Sequence, residues 1–152
     1  MTVTLNQFSV TKDNVSPREY SMYKYLDNMN WSCVPKLYHY DKGNQLLTTQ
    51  KIIGLSVADT YGESFDKVPV HIVTQIRDII RKLYTIGVVY PNITGYNFII
   101  DHMSHVWIVN FKHSFYMSHY STEEDIPDQQ EHLEFVQLFC YHNESTWNPY
   151  FA

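Results

Sequence analysis

The sequence predicts one domain of mixed α+β class, and three stretches carry that expectation. A long amphipathic helix is written over Val68–Ile86, where Ile72, Val73, Ile76, Ile79, Ile80 and Leu83 follow the 3.6-residue period. Two pairs of β-prone runs flank short polar turns, Val34–Tyr40 with Gln45–Ile52 and Phe98–Asp101 with Val106–Phe111. A chain of 152 residues suffices for one core and buries roughly two-thirds of its unfolded surface on folding.

Taken in order, Thr2–Lys12 reads as a strand with Val3 and Leu5, then Phe8 and Val10, as its apolar positions, and Asp13–Val15 reads as a turn. Ser16-Pro17-Arg18-Glu19 is a helix start, with Ser as N-cap, Pro at the first helical position and Glu placed for a capping box. That helix is expected to reach about Asn28 and to bury Tyr20, Tyr23 and Leu26. Asp41-Lys42-Gly43-Asn44 turns the first hairpin, Gly54 is expected to break the sheet, and Ser56–Tyr61 suits a short helix. Pro69 opens the long helix and Gly87 closes it. His113–Asp125 reads as loop. Pro127 opens a last helix through about His142, with Leu133, Val136 and Cys140 inward, and the chain ends in the aromatic run Trp147–Phe151.

Composition excludes several classes. Hydrophobic residues make up 44% and charged residues 18%, which suits a packed globule and not a disordered chain. A formal charge of −5 argues against nucleic acid or an anionic lipid surface as partner. No stretch has the length of a membrane span, and the first ten residues are too polar for a signal peptide. Cys33 and Cys140 suit a reducing compartment, and the glycosylation patterns at Asn92 and Asn143 are then idle. Histidines 102, 105, 113 and 119 lack the companions of a recognised metal site and suit surface or packing roles. Glu123-Glu124-Asp125 reads as a solvated face. Aromatics at 16%, thirteen of them tyrosine, are the kind of side chain enriched at contact surfaces.

The stretch Gly87–Lys112 is the most informative. Its hairpin, with a tip near His102–Ser104, brings Asn97 and Asn110 together at the open end. Asp101 then sits roughly 13 Å away, at about 3.3 Å per residue. Tyr90, Asn92 and Asn97, followed thirteen residues later by Asn110-Phe111-Lys112, stand at the spacing of a His-x-Asp, four residues, Asn, and a distant Asp-Phe-Gly. In this the chain resembles the protein-kinase-like superfamily over roughly Val10–Phe115, with Tyr90 for the His, Asn92 for the first Asp, Asn97 for the Asn, and Asn110 and Lys112 for the second Asp and the Gly.

The resemblance implies a two-lobed α+β fold, with a truncated small lobe over 1–53 and a reduced large lobe over 54–152. It sets Lys12 where a phosphate-pairing lysine stands and Glu19 where its helix glutamate stands; Gln50–Gly54 becomes the hinge and Val68–Ile86 the main helix of the large lobe. It also implies that the chemistry is lost. Phosphoryl transfer rests on a glycine-rich cover, a lysine, metal ligands and a base. None of the five glycines precedes Lys12, so the cover is expected to be missing. An amide at Asn92 cannot take up a proton, where a general base is worth about 10²–10⁴-fold. An amide at Asn110 attracts magnesium far less than a carboxylate, and Lys112 adds an opposing charge. Only Asn97 keeps the ligand type.

Plainer readings of the same residues stand beside these. Glu19 is explained as the capping-box partner of Ser16, Lys12 as a solvated strand end, and Asn92 as a turn former after Pro91 whose side chain bonds the backbone. Asn97 and Asn110 are expected to bond each other as a neutral pair across the hairpin mouth.

The expected function is therefore a catalytically inactive interaction, scaffold or virion-assembly component, with no cofactor and no metal, acting in the cytoplasm or a virion. Its partners would be virion or host proteins, and short chains of this kind resemble products of large DNA viruses. The alternatives are a minimal atypical kinase and a nucleotide-binding regulator of another kinase. The contact surfaces expected are the edge of the first strand, unless the chain's own first residues cover it, and the apolar end carrying Trp147, Tyr150 and Phe151.

Overall fold

The computed structural model describes residues 3–5, 8–122, 129–142 and 144–148. The fold is α+β, with three small antiparallel sheets and four α-helices among those residues.

The first stretch forms two strands, not one. β1 (Val3–Leu5) pairs antiparallel with β2 (Ser9–Lys12), Leu5 opposite Val10 and Val3 opposite Lys12. The sequence carried the sign of this: the apolar positions change parity between Leu5 and Phe8, and one straight strand would send them to opposite faces. β1 thereby covers the edge of β2, as the second of the two expectations required.

α1 (Pro17–Asn28) starts where its N-cap predicts, with the Glu19 amide donating to Ser16 Oγ at 3.1 Å. It buries Met22, Tyr23 and Leu26, while Tyr20 is only half-buried and stacks on Tyr40 at 4.3 Å between centroids. β3 (Leu37–Asp41) and β4 (Leu46–Gln50) form the expected hairpin, two to three residues shorter at its outer ends, and the Asp41 carboxylate ties its turn through Asn44. The sheet runs β1-β2-β4-β3.

Gly54 does not break the structure. It opens β5 (Gly54–Ser56), which pairs with β7 (Phe98–Asp101), itself paired with β8 (Val106–Ile108). Glycine is required for closeness, since a Cβ there would lie 2.0 Å from the Ile100 carbonyl oxygen. α2 (Val57–Tyr61) follows, capped by Ser56 as predicted. α3 (Val70–Thr85) buries all six predicted apolar positions. Gly87 ends it at φ +83°, in the left-handed region that favours glycine.

The predicted strand Val106–Phe111 stops at Ile108, because Asn110 takes φ +64° and turns the chain out of the ladder. The predicted loop after His113 is partly ordered: β9 (Phe115–Tyr116) pairs with β6 (Val88–Val89), and a 3₁₀ segment spans Met117–Thr122. Those two-residue strands were too short to show as periodicity. Glu123-Glu124-Asp125, Pro127 and Asn143 lie outside the described residues. α4 (Gln129–Tyr141) turns Val136 and Cys140 inward, with Leu133 half-buried against Val89 and Phe115. Arg77 and Arg81 of α3 donate to the Phe139 and Cys140 carbonyls, satisfying the C-terminal acceptors of α4.

One buried cluster runs from Leu26 and Leu47 through Ile76, Ile80 and Phe111 to Phe139, consistent with a single core. Both cysteines are free thiols, and no described helix is long and apolar enough to cross a membrane.

The Gly54 contact gives a direct test. Gly54→Ala is expected to cost about 1–3 kcal/mol, since β5 must move off β7 to admit the methyl group. Urea unfolding measures it, and Gly43→Ala, whose added Cβ would meet only a side-chain oxygen at 3.6 Å, is the matched control.

Candidate functional site

The site forms where β2, α1 and the two ends of the central hairpin converge. Lys12 ends β2 and Glu19 lies in the first turn of α1, so the turn between them points both side chains to one place. Lys12 Nζ donates to Glu19 Oε2 at 2.7 Å, with the two side chains 15% and 1% exposed. This corrects the plainer reading of both residues. Lys12 is not a solvated strand end, and the Glu19 side chain is committed to the lysine while only its backbone amide serves the cap.

The loop after β6 places the other residues. Tyr90 is buried, donates its hydroxyl to the Val109 carbonyl, and packs edge-on against Phe111 at 5.3 Å. Phe111 in turn meets Tyr23 of α1 edge-on at 5.0 Å. Three buried rings thus link the loop, the residue after Asn110 and the helix that carries Glu19. Burial pushes the Tyr90 and Tyr23 hydroxyls well above the usual phenol range, so both stay protonated donors.

Alongside the rings runs a chain of amides. Asn97 Nδ2 donates to the Asn92 carbonyl at 2.8 Å, and Asn97 Oδ1 accepts from Asn110 Nδ2 at 3.1 Å. The Asn110 backbone amide donates to the Tyr23 hydroxyl at 3.3 Å. The neutral pair expected between Asn97 and Asn110 is therefore present. A carbonyl can only accept, so Asn97 must turn its NH₂ toward Asn92 and its oxygen toward Asn110. Asn110 must then offer its own NH₂, which leaves Asn110 Oδ1 buried without a partner. The Asn92 side-chain oxygen is likewise buried and unpartnered, which corrects the expectation that this side chain bonds the backbone; the Asn92 carbonyl does that work instead. Asp101 lies at the far end as expected, holding the hairpin tip through Met103, His105 and Trp107.

A cleft of about 520 Å³ opens beside these residues. Val10 and Leu47 line it from the four-stranded sheet, Ile99 and Val109 from the hairpin, and Lys12, Asn97 and Asn110 supply polar groups. No Asp or Glu lines it, and no three His, Cys, Asp or Glu side chains gather anywhere among the described residues. Lys112 is exposed and does not line the cleft; its carbonyl accepts from Arg18 at 3.3 Å, another tie to α1.

The aromatic end reads differently from expectation. Trp147 packs inward, edge-on to Phe65 at 4.8 Å and in contact range of Gly95, and is left half-buried. Tyr150 and Phe151 lie outside the described residues. Next to it, buried Asn148 donates to the Pro91 carbonyl at 2.6 Å and its amide to the Ile93 carbonyl at 3.0 Å, gripping the loop that carries Asn92. Buried His132 stands 2.6 Å from the Tyr84 hydroxyl, which bonds both backbone groups of Tyr90. Sequence reading missed Tyr84, His132 and Asn148; spacings of 48 and 16 residues leave no local pattern.

Two measurements check this description. Lys12→Met strands Glu19 uncompensated and is expected to destabilise the fold by about 3–5 kcal/mol, while Lys12→Met with Glu19→Leu recovers most of that loss. A double-mutant cycle by urea unfolding reads the coupling. Burial pushes His132 down to about 4, below its ordinary 6.5. The unfolded chain therefore binds the proton first, and stability present above pH 6.5 is lost as pH falls toward 4, by about 3 kcal/mol. Unfolding at pH 7 and 4.5 should show a steeper loss for the wild type than for His132→Gln.

The chain matches no protein-family model, and no curated protein matches it.

Proposed function

We propose that this is a catalytically inactive, protein-kinase-like domain that acts by binding other proteins. The observation that carries the reading is the direct hydrogen bond between the side-chain amides of Asn97 and Asn110 beside a cleft without a carboxylate. Several features support the kinase-like part. Lys12 and Glu19 meet as the resemblance implies, Asn97 and Asn110 of the loop and strand pair line one cleft with Lys12, and Gln50–Gly54 borders that cleft. The absence of chemistry follows from charge. A divalent ion needs hard anionic oxygen, and here it would meet neutral amides already bonded to each other. A substrate hydroxyl would find no base at Asn92. Lys12 is neutralised by Glu19, which lessens its attraction for a phosphate and leaves Lys51 as the other cation lining the cleft.

An aspartate at position 110 sharpens the reasoning. It would set a second acceptor against Asn97 Oδ1, and that contact is unfavourable unless a cation or proton lies between. The asparagine closes the same place with no ion.

A second reading, nucleotide binding without transfer, draws on the cleft volume and its apolar walls. Thermal melting separates the two. Magnesium–ATP is expected to leave the wild-type midpoint unchanged; a stabilisation of about 2.7 kcal/mol, reached with ligand at a hundredfold its dissociation constant, would favour the second reading. Asn110→Asp is expected to lower stability by about 1–3 kcal/mol and to regain part of it with magnesium alone. Asn92→Asp with Asn110→Asp is expected to show no phosphate transfer to a protein substrate.

A further inference from the structure

An unpaired strand, exposed apolar side chains and unpaired charge coincide at β5. β5 ends its sheet, pairing only with β7 among the described residues. Its flank and centre expose Ile53 at 70% and Leu55 at 62%, two residues apart and so on one side of an extended chain. Tyr96, exposed at 53%, lies next to them and donates its hydroxyl to Glu63 at 2.5 Å. Asp59 of α2 acts on the same hydroxyl, and neither Asp59 nor Glu63 has a cationic partner among the described residues.

Natural sheets cover or charge their edges, and β5 is covered by neither proline nor lysine within its span. By contrast the outer side of β8 is occupied, with the Ile108 amide donating to the Cys33 carbonyl and the Val106 amide to Gln75. Within its own sheet β5 is therefore the open edge, while β1 and β3 end the four-stranded sheet.

We propose that the β5 edge is a docking site for an extended, basic segment of a partner protein, which adds a strand beside Gly54–Ser56. Apolar side chains of that segment rest on Ile53, Leu55 and Tyr96, and its cationic side chains meet Asp59 and Glu63. Backbone bonds supply affinity, and the two carboxylates select basic over acidic sequences. This deepens the reading of the chain as a binding domain by naming the class of partner. It rests on that reading only in treating the face as a contact surface, and it shares with the cleft only Gly54 and Tyr96, which line both.

The test uses the full chain and a fluorescein-labelled short peptide of alternating valine and lysine, with an otherwise identical glutamate peptide. The lysine peptide is expected to bind with a dissociation constant of about 100 μM, the range of a short added strand. Amide signals of 53–56 should shift on binding. Asp59→Lys with Glu63→Lys should reverse the preference by about tenfold. A lysine peptide N-methylated on alternate residues, which keeps every side chain, should lose binding. No saturable binding up to about 1 mM overturns the proposal, as does equal binding of the N-methylated peptide or an unreversed preference in a folded double variant. The N-methylated comparison on wild-type protein decides the matter if that variant does not fold. Failure here leaves the magnesium–ATP result standing, and stabilisation by magnesium–ATP leaves this one standing.

Discussion

The hydrogen bond between the Asn97 and Asn110 side-chain amides holds together parts of the chain that nothing local would join. Asn97 follows the loop that begins at Tyr90, Asn110 follows β8, and the Asn110 backbone reaches α1 through the Tyr23 hydroxyl. The positive φ of Asn110 is what lets one residue do both. Asparagine tolerates that conformation better than most residues, because its short amide bonds locally. A carboxylate could take the same backbone, but it would face Asn97 oxygen to oxygen. The constraint is thus one of polarity as much as of shape: once the Asn92 carbonyl has fixed the first amide, every later one is fixed in turn.

The aromatic stack makes that polar relay affordable. Tyr90, Phe111 and Tyr23 pack edge to face on one another, keeping water from the buried amide oxygens and fixing α1 against the hairpin. Two unpartnered acceptors, on Asn92 and Asn110, are costs of about 1–3 kcal/mol each that such packing offsets. The Lys12–Glu19 pair joins the same helix to the sheet. α1 is therefore fastened on three sides by contacts that need no ligand, and the cleft keeps its form without one.

What could be read from sequence follows the range of each signal. The α3 stripe, the Ser16 and Ser56 caps and the two hairpins are local patterns, and each formed within a few residues of its expected place. The meeting of Asn97 with Asn110 was legible too, because one hairpin register brings them together. Glu19 was only half legible. Its capping position is written in the sequence, but the choice of its side chain between cap and lysine depends on where β2 ends, a tertiary fact. The break in the first strand was visible as a parity change and was passed over. Gly54 misled because a glycine required for close approach looks the same in sequence as one that ends a strand. Trp147 misled in a similar way: an aromatic near a terminus is read as free surface, and only the small Gly95 opposite it shows why it turns inward.

These facts bear on how such a fold stays stable once its charged site is neutral. A site built on two carboxylates and a metal is stable only with the ion in place, since like charges repel when it leaves. Two amides carry no such repulsion, and the hydrogen bond between Asn97 and Asn110 is neutral and short-range. The outer edge of β5 is held in place by a backbone that Gly54 sets close against Ile100. A rigid edge loses little conformational entropy on pairing, so even three residues of added strand can carry a specific contact.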